Sequence, residues 1–188
     1  IRHGKRVAIA EQTSEPVPGR LVDREISQVI SAGTVIDLNM LESRRNNYLA
    51  AVFRSSPKLL GLAFVDHTTG EFRVAEYADI SELMDEIGRL QPAELLYPDD
   101  QTGEFGALKG ATSLEPWPFL YDQAHHLLLE HFKVQSLDGF GCAGLRAGIS
   151  AAGAILHYIR DVLRRNVSHI RRLQAAGNER TVIIDAAS

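Results

Sequence analysis

Three consecutive β-type segments near the middle of the chain constrain its fold more than any other feature. They cover residues 48–54, 60–66 and 71–75, and in the last segment apolar and polar residues alternate with the period of a half-buried strand. The residues between the second and third segments, Asp-His-Thr-Thr-Gly at 66–70, have the composition of a turn. We therefore expect these two segments to form an antiparallel hairpin.

The segments that follow alternate between helical and strand-like patterns. Asp79 is placed to cap a helix that runs to Leu90, and Pro92 ends it. Beyond it we predict a parallel strand at 94–97, an irregular loop at 98–118, a helix at 122–134, a brief extended piece from Leu137, and the longest helix at 145–165. This order predicts an α/β domain of the ribonuclease-H-like type, whose mixed sheet is covered by helices on both faces.

Small residues interrupt the longest predicted helix. Gly148 and Gly153 each cost about 1 kcal/mol relative to Ala in a helix interior. We expect a close approach of the helix to the sheet to compensate for this cost. Leu156 lies on the apolar face of the same helix and is predicted to be buried.

The first part of the chain has a different pattern. Residues 7–10 and 26–31 are predicted strands, separated by a loop that contains Pro and Gly. Residues 37–46 are polar with a few apolar positions and are predicted to form one or two helical turns. The chain lacks an initiator Met, and a strand pattern arrives within its first seven residues. We therefore expect it to be an internal piece of a larger protein.

A glycine pattern precedes the longest helix. Gly139, Gly141 and Gly144 match G-x-G-x-x-G, which in a dinucleotide site lets the backbone approach a pyrophosphate at a helix N-terminus. The preceding residues are barely apolar, however, and no second strand ending in an acid follows the helix. The pattern therefore predicts a structural turn.

The sequence contains no convincing set of catalytic residues. A ribonuclease-H-like nuclease needs converging carboxylates, one of them on the first strand, yet residues 48–54 contain none. Asp66 and the pair at 99–100 are typical turn formers. Cys142 has no evident general base beside it. We predict no catalytic residues, although a freestanding nuclease or nucleotide-binding domain remains the alternative.

Histidine spacing is equally unfavourable for a metal site. His125, His126 and His131 share one predicted helix but not at i and i+4, and no cysteine lies near them. His157 and Asp161 share a helix face, where a surface hydrogen bond is the expected interaction. We predict no metal-binding and no cofactor-binding residues.

Charge and composition limit the possible partners. The formal net charge of −4 argues against strong nonspecific nucleic-acid binding. No apolar stretch is long enough to span a membrane, and the single Cys142 fits the reducing cytoplasm. Five arginines nevertheless crowd the C-terminal part, where they either complement a helix dipole or form a nucleic-acid patch. They are Arg160, Arg164, Arg165, Arg171 and Arg172.

Seven short motifs occur along the chain in the order in which they occur in one known family. They cover residues 5–16, 24–37, 46–51, 66–72, 92–97, 137–141 and 181–188. Together they resemble the MutS family of DNA mismatch-repair proteins over essentially the whole chain. The chain departs from the usual family pattern at Ala32, where Pro is usual, and at Ala10, where Cys is common.

The resemblance implies a division into three parts. Residues 1–36 would be the end of a mismatch-recognition domain of α/β type, residues 37–170 a noncatalytic, ribonuclease-H-like connector domain, and residues 171–188 the start of the core domain. The longer parent protein would be a homodimer that binds mismatched double-stranded DNA. It would also use ATP and Mg²⁺ at a site outside this chain.

The resemblance also implies a protein partner. In this family the connector domain offers a docking surface to a MutL-like protein. The helix at 122–134 is the candidate surface, with His125 and His126 expected to be exposed there.

Overall fold

The computed structural model describes residues 7–12, 24–31, 34 and 47–176. The first two ranges form a small antiparallel sheet of β1 (Val7–Gln12) and β2 (Arg24–Ile30). Both strands were predicted from the sequence, and both predictions are confirmed. The helical turns predicted at 37–46 lie outside the described residues.

The rest of the described chain is organised around a mixed sheet of six strands in the order β7-β6-β3-β4-β5-β8. The pairs β3–β4 and β4–β5 are antiparallel, whereas the pairs β3–β6, β6–β7 and β5–β8 are parallel. The predicted hairpin and the predicted parallel strand are therefore confirmed. The strands are β3 (Tyr48–Ser56), β4 (Leu59–Asp66), β5 (Glu71–Tyr77), β6 (Glu94–Pro98), β7 (Ala111–Leu114) and β8 (Leu173–Ala175).

Helices cover both faces of this sheet, as predicted. On one face Leu62 of β4 packs in a core with Leu83 of α1 (Ile80–Leu90). On the other face Ala63 packs in a second core with residues of α3 (Tyr121–Phe132) and α4 (Arg146–His157). Strand β4 is consequently buried along nearly its whole length, which explains its continuous apolar sequence.

The ends of α1 follow from local chemistry. The Asp79 carboxylate accepts a hydrogen bond of 2.7 Å from the backbone N–H of Ser81, which satisfies one of the free donors of the first turn. Gln91 ends the helix in the left-handed conformation, and its N–H donates to the Ile87 carbonyl. The predicted start and end of this helix are confirmed.

The prediction of an irregular loop at 98–118 is wrong in part. The segment contains a short helix, α2 (Thr102–Phe105), and strand β7. The backbone N–H of Leu95 donates to the Gly110 carbonyl over 2.9 Å, immediately before β7 begins its pairing with β6. Strand β7 is only four residues long and only half-buried, so its side chains do not alternate clearly enough to reveal it.

The prediction of an extended piece from Leu137 is also wrong. Residues 138–140 form a 3₁₀ turn that ends at Gly141, whose φ is +70°. Leu137 itself is buried in the core. The turn is stabilised locally, since the Gly141 N–H donates to the Asp138 carbonyl over 3.0 Å.

Helix α4 is the central helix of the domain, and all of residues 147–156 are buried. Its first turn is capped from the sheet, because the Glu76 carboxylate of β5 accepts a hydrogen bond of 2.6 Å from the Ala147 N–H. The helix continues into a π turn (Tyr158–Val162) and stops before Arg164, which has a φ of +52°. The helix predicted at 145–165 is therefore shorter than expected at its C-terminal end.

The two glycines of α4 are explained by two different neighbours. A Cβ atom at Gly148 would lie 3.1 Å from the Ala75 carbonyl oxygen, which confirms the predicted close approach to the sheet. A Cβ atom at Gly153 would lie 2.3 Å from the Ala124 Cβ on α3. The second glycine therefore permits helix–helix packing, which the sequence did not predict.

The sheet extends past residue 170. Strand β8 pairs in parallel with β5, and Phe72 lies opposite Leu173. This strand falls within residues 171–188, which the sequence analysis assigned to the next domain.

Candidate partner-binding surface

Helix α3 packs one face against the core and leaves the other face accessible. Ala124 and Leu128 are buried on the inner side. His126 is exposed on the outer side, as expected. His125 is only half-buried rather than exposed, because its ring stacks on Tyr121 with 5.3 Å between ring centroids. The expectation that both histidines are exposed is therefore wrong for His125.

A cation completes the stack at the start of α3. The Arg146 guanidinium carbon lies 3.6 Å from the centroid of the Tyr121 ring, within the range of a cation–π interaction. His125, Tyr121 and Arg146 thus form one column that joins the first turns of α3 and α4. His125 belongs to this column and is less available to a partner than His126.

A groove of about 150 Å³ lies beside His126. One wall is Trp117, whose side chain remains 45% exposed and packs edge-on against His157 with ring centroids 4.6 Å apart. The indole Nε1–H donates to the Glu115 carboxylate over 2.9 Å. The 3₁₀ turn that carries Trp117 is anchored by Phe119, which is 1% exposed.

Charged groups of both signs also line the groove. The Asp161 carboxylate lies 2.9 Å from Nδ1 of His157, which confirms the predicted surface hydrogen bond, and also accepts a bond of 2.9 Å from Arg160. Burial alone would raise the pKa of Asp161, but the hydrogen bonds from Arg160 and His157 outweigh it and lower the pKa. Arg160 also lies 3.9 Å from the Glu130 carboxylate.

This combination of groups suits protein recognition. A partly exposed Trp in a groove with a polar rim is typical of residues that contribute strongly to protein–protein interfaces. Leu120, which is 56% exposed, adds apolar surface next to it. Trp117 was not predicted as a surface residue, because residues 98–118 were expected to form a loop, although a Trp between Pro116 and Pro118 was a usable signal.

A second contact surface lies where β2 meets residues 163–165, beyond the π turn. The Val29 N–H donates to the Leu163 carbonyl over 2.9 Å, and the Arg164 guanidinium donates to the Ile26 carbonyl over 2.9 Å. The Arg165 guanidinium donates to the Thr34 carbonyl, and burial lowers the pKa of Arg165. Two of the clustered arginines thus bind backbone carbonyls of the first segment, a role that the sequence analysis did not anticipate.

The glycine pattern forms the predicted structural turn. It lies around the 3₁₀ turn at 138–140, and a Cβ atom at Gly139, Gly141 or Gly144 would meet no atom within 4 Å. The close backbone approaches that define a dinucleotide-binding loop do not occur at these glycines.

The candidate carboxylates lie at turns, and Cys142 lies in the interior. The Asp66 carboxylate accepts a hydrogen bond of 2.8 Å from the Thr68 N–H, which confirms its role in the turn. Asp99 and Asp100 lie exposed in a 3₁₀ turn. Cys142 is buried, and burial raises the pKa of its thiol. Over the described ranges, no cluster of three or more His, Cys, Asp or Glu side chains could hold a metal ion.

Among the described helices, none combines the length and apolar character that a bilayer span requires.

Comparison with protein families gives two adjacent matches. A family model described as MutS domain II matches residues 47–171, and one described as MutS domain I matches residues 1–39. The first match alone covers more than half of the chain and includes α3, the Trp117 groove and the whole of α4.

Two curated relatives show the same similarity along the full chain. The chain is 40% identical over 195 residues to the DNA mismatch repair protein MutS of Protochlamydia amoebophila (strain UWE25), an alignment that covers 98% of this chain and 23% of that protein. It is 41% identical over 194 residues to the DNA mismatch repair protein MutS of Solibacter usitatus (strain Ellin6076), covering 100% of this chain and 22% of that protein. The chain therefore spans less than a quarter of the length of these relatives.

Proposed function

The chain belongs to the MutS family of DNA mismatch-repair proteins, and on this premise we propose that it is a noncatalytic connecting segment within a longer protein. The observation that carries the proposal is the contact of Ile26, Val29 and Thr34 with residues 163–165. Three hydrogen bonds join the first segment to the end of the central helix. A movement of the first segment would therefore displace the end of the central helix, and the reverse also holds.

Three parts of the chain have separate roles in this proposal. Residues 1–36 are the end of the mismatch-recognition domain, residues 37–170 are the connector domain, and residues 171–188 begin the core domain. A ribonuclease-H-like fold for the connector is supported by its three leading antiparallel strands, its later parallel strands and the helices on both faces. Pairing of β8 with β5 would then tie the start of the core domain to the connector sheet.

The proposal also assigns properties to the longer parent protein. The parent binds mismatched double-stranded DNA as a homodimer in the cytoplasm. It binds ATP and Mg²⁺ and hydrolyses ATP at a site outside this chain. The connecting segment transmits the state of the DNA-reading domain to that site without performing chemistry itself.

Removal of the hydrogen bond between Arg165 and Thr34 tests the connecting role. In the full-length parent, Arg165→Ala should reduce the stimulation of ATP hydrolysis by mismatched DNA while mismatch binding itself is retained. Lys109→Ala, an exposed cation elsewhere in the connector, is the matched control. Unchanged stimulation in the Arg165 variant, with both proteins folded, would count against a transmitting role.

A MutL-like protein is the proposed partner of the α3 surface. The exposed His126 and the adjacent Trp117 groove support this assignment, and His125 would contribute through the edge of its ring. Truncation of a central aromatic residue in such a surface typically costs about 2 kcal/mol or more of binding free energy.

Binding to a MutL-like protein by the full-length parent tests this surface. His125→Glu together with His126→Glu should weaken binding, and Trp117→Ala should weaken it by about thirtyfold or more. Lys58→Glu reverses an exposed charge in the β3–β4 turn and serves as the control. Unchanged affinity in both surface variants, with the fold intact, would remove the assignment.

A further inference from the structure

A second pocket, of about 330 Å³, lies at the edge of the sheet where β5 pairs with β8. It shares no lining residue with the groove beside His126. Its volume lies within the range of small-molecule sites. The proposed connecting role makes no use of it.

The lining of this pocket is strongly basic, although the chain as a whole carries a net charge of −4. Arg73, Arg171 and Arg172 line it together with one acid, Glu71. Glu71 lies 2.6 Å from Arg73 and so offsets that cation. Arg171 and Arg172 are exposed, and across the part of the chain that the structure describes no carboxylate lies within 4.0 Å of either guanidinium.

One lining residue, His169, has a ring nitrogen that is shielded from the open pocket. Nε2 of His169 is buried and has no hydrogen-bond partner among the described residues. The His169 ring packs edge-on against His67 with 4.6 Å between centroids. Because this nitrogen is buried, the exposed Arg171 and Arg172 are the unpaired cations that a ligand in the pocket can reach.

We propose that this pocket binds a phosphate group, with Arg171 and Arg172 as the principal donors. The planar guanidinium group can donate two parallel hydrogen bonds to two phosphate oxygens, which favours phosphate over a monatomic anion. Two adjacent unpaired arginines provide both the charge and the donors. The phosphate group comes either from a free phosphate compound or from the backbone of DNA, and the two sources share this chemistry.

Titration of the complete 188-residue chain with two probes tests the site. Sodium pyrophosphate represents the free source, and a short fluorescent DNA duplex represents the backbone source. Pyrophosphate should shift the amide signals of Gly70 and His169 in NMR spectra of the unaltered chain, because both residues line the pocket. The double variant Arg171→Gln/Arg172→Gln should weaken pyrophosphate binding by about tenfold or more.

A matched control separates this site from general charge effects. Lys109→Gln removes an exposed cation that does not line the pocket, and its affinities should stay within about twofold of the unaltered chain. Because Arg171 and Arg172 are exposed, the double variant should keep its thermal unfolding midpoint. Duplex binding that weakens in the double variant, with a salt dependence reduced by about one or two units of slope, identifies the DNA backbone as a source.

Each outcome bears on the proposal. Loss of pyrophosphate binding with duplex binding unchanged supports a site for free phosphate compounds, and loss of both supports a site that also accepts DNA. Loss of duplex binding alone supports the backbone source. The proposal is overturned if neither probe binds, if the signals that shift lie outside the pocket, or if the double variant behaves like Lys109→Gln.

Discussion

The hydroxyl group of Tyr158 donates a hydrogen bond of 2.6 Å to Oε1 of Glu94 in the interior of the domain. Both residues are buried, with exposed fractions of 0% and 4%. The Thr112 hydroxyl donates to the same oxygen over 3.2 Å. One buried carboxylate on β6 therefore joins the π turn after α4 to the edge strand β7.

Removal of the Tyr158 hydroxyl should destabilise the fold. Tyr158→Phe keeps the ring but leaves Glu94 with one fewer donor, and we expect a loss of about 1–3 kcal/mol in the free energy of unfolding. Urea unfolding measures the difference. Tyr121→Phe, whose ring stacking on His125 is retained, is the control and should change stability by less than about 0.5 kcal/mol. Equal effects of the two variants would show that the buried bond contributes nothing specific.

Two glycine substitutions should have opposite effects on the free energy of unfolding. An alanine Cβ at Gly61 would lie 2.0 Å from the Ala147 carbonyl oxygen, so Gly61→Ala must displace α4 from the sheet and should cost about 2–4 kcal/mol. Gly88 lies within α1, and a Cβ atom there would meet no atom within 4 Å. Gly88→Ala should therefore stabilise the protein by about 0.5–1 kcal/mol. Thermal unfolding of both variants checks the two signs.

Truncation of Leu156 should leave a cavity in the main core. The side chain is 0% exposed and belongs to the core between the sheet, α3 and α4. Leu156→Ala should cost about 2–5 kcal/mol. An unfolding experiment that shows a loss below about half a kcal/mol would contradict this placement.

Acid should destabilise the domain through His67. Burial, together with the nearby positive charge of Arg165 and the neighbouring His169, lowers the pKa of His67 to about 4. The unfolded chain, with a histidine pKa of about 6.5, then binds more protons than the folded chain between pH 6.5 and pH 4. The contribution of neutral His67 to stability is fully present above pH 6.5. The free energy of unfolding should fall by up to about 3 kcal/mol as the pH decreases from 6.5 to 4.

Comparison with a histidine variant isolates this contribution. His67→Asn removes the titrating group, and the decrease in unfolding free energy between pH 7 and pH 4 should become smaller by a similar amount. His126→Asn removes an exposed histidine and should leave the pH dependence unchanged. A pH profile of His67→Asn that matches the unaltered chain would exclude His67 as the source.

The sequence correctly predicted those elements whose pattern depends on residues close to one another in the chain. The turn at Asp66, the cap at Asp79 and the alternation in β5 depend on residues a few positions apart, and each was found as expected. Strand β7 depends instead on pairing with β6, and its short, half-buried sequence carries no period of its own. The contact of β2 with Leu163 likewise joins residues far apart in the chain, which sequence spacing does not reveal.

The candidate surface was predicted only in outline for the same reason. His126 is accessible because helical spacing already separates it from the buried Ala124 and Leu128. Trp117 contributes only because the fold brings its 3₁₀ turn against His157 of another helix. His125 was misjudged because Arg146, which holds its neighbour Tyr121, comes from the start of α4.

The hydrogen bond from Val29 to Leu163 has a consequence for the order of synthesis. A ribosome releases residues 24–30 long before it adds Leu163, and until then the described part of this segment offers β2 only β1 as a partner. A two-stranded hairpin is at best marginally stable in water. The hydrogen bond from Val29 to Leu163 therefore forms only after translation has passed the end of the central helix.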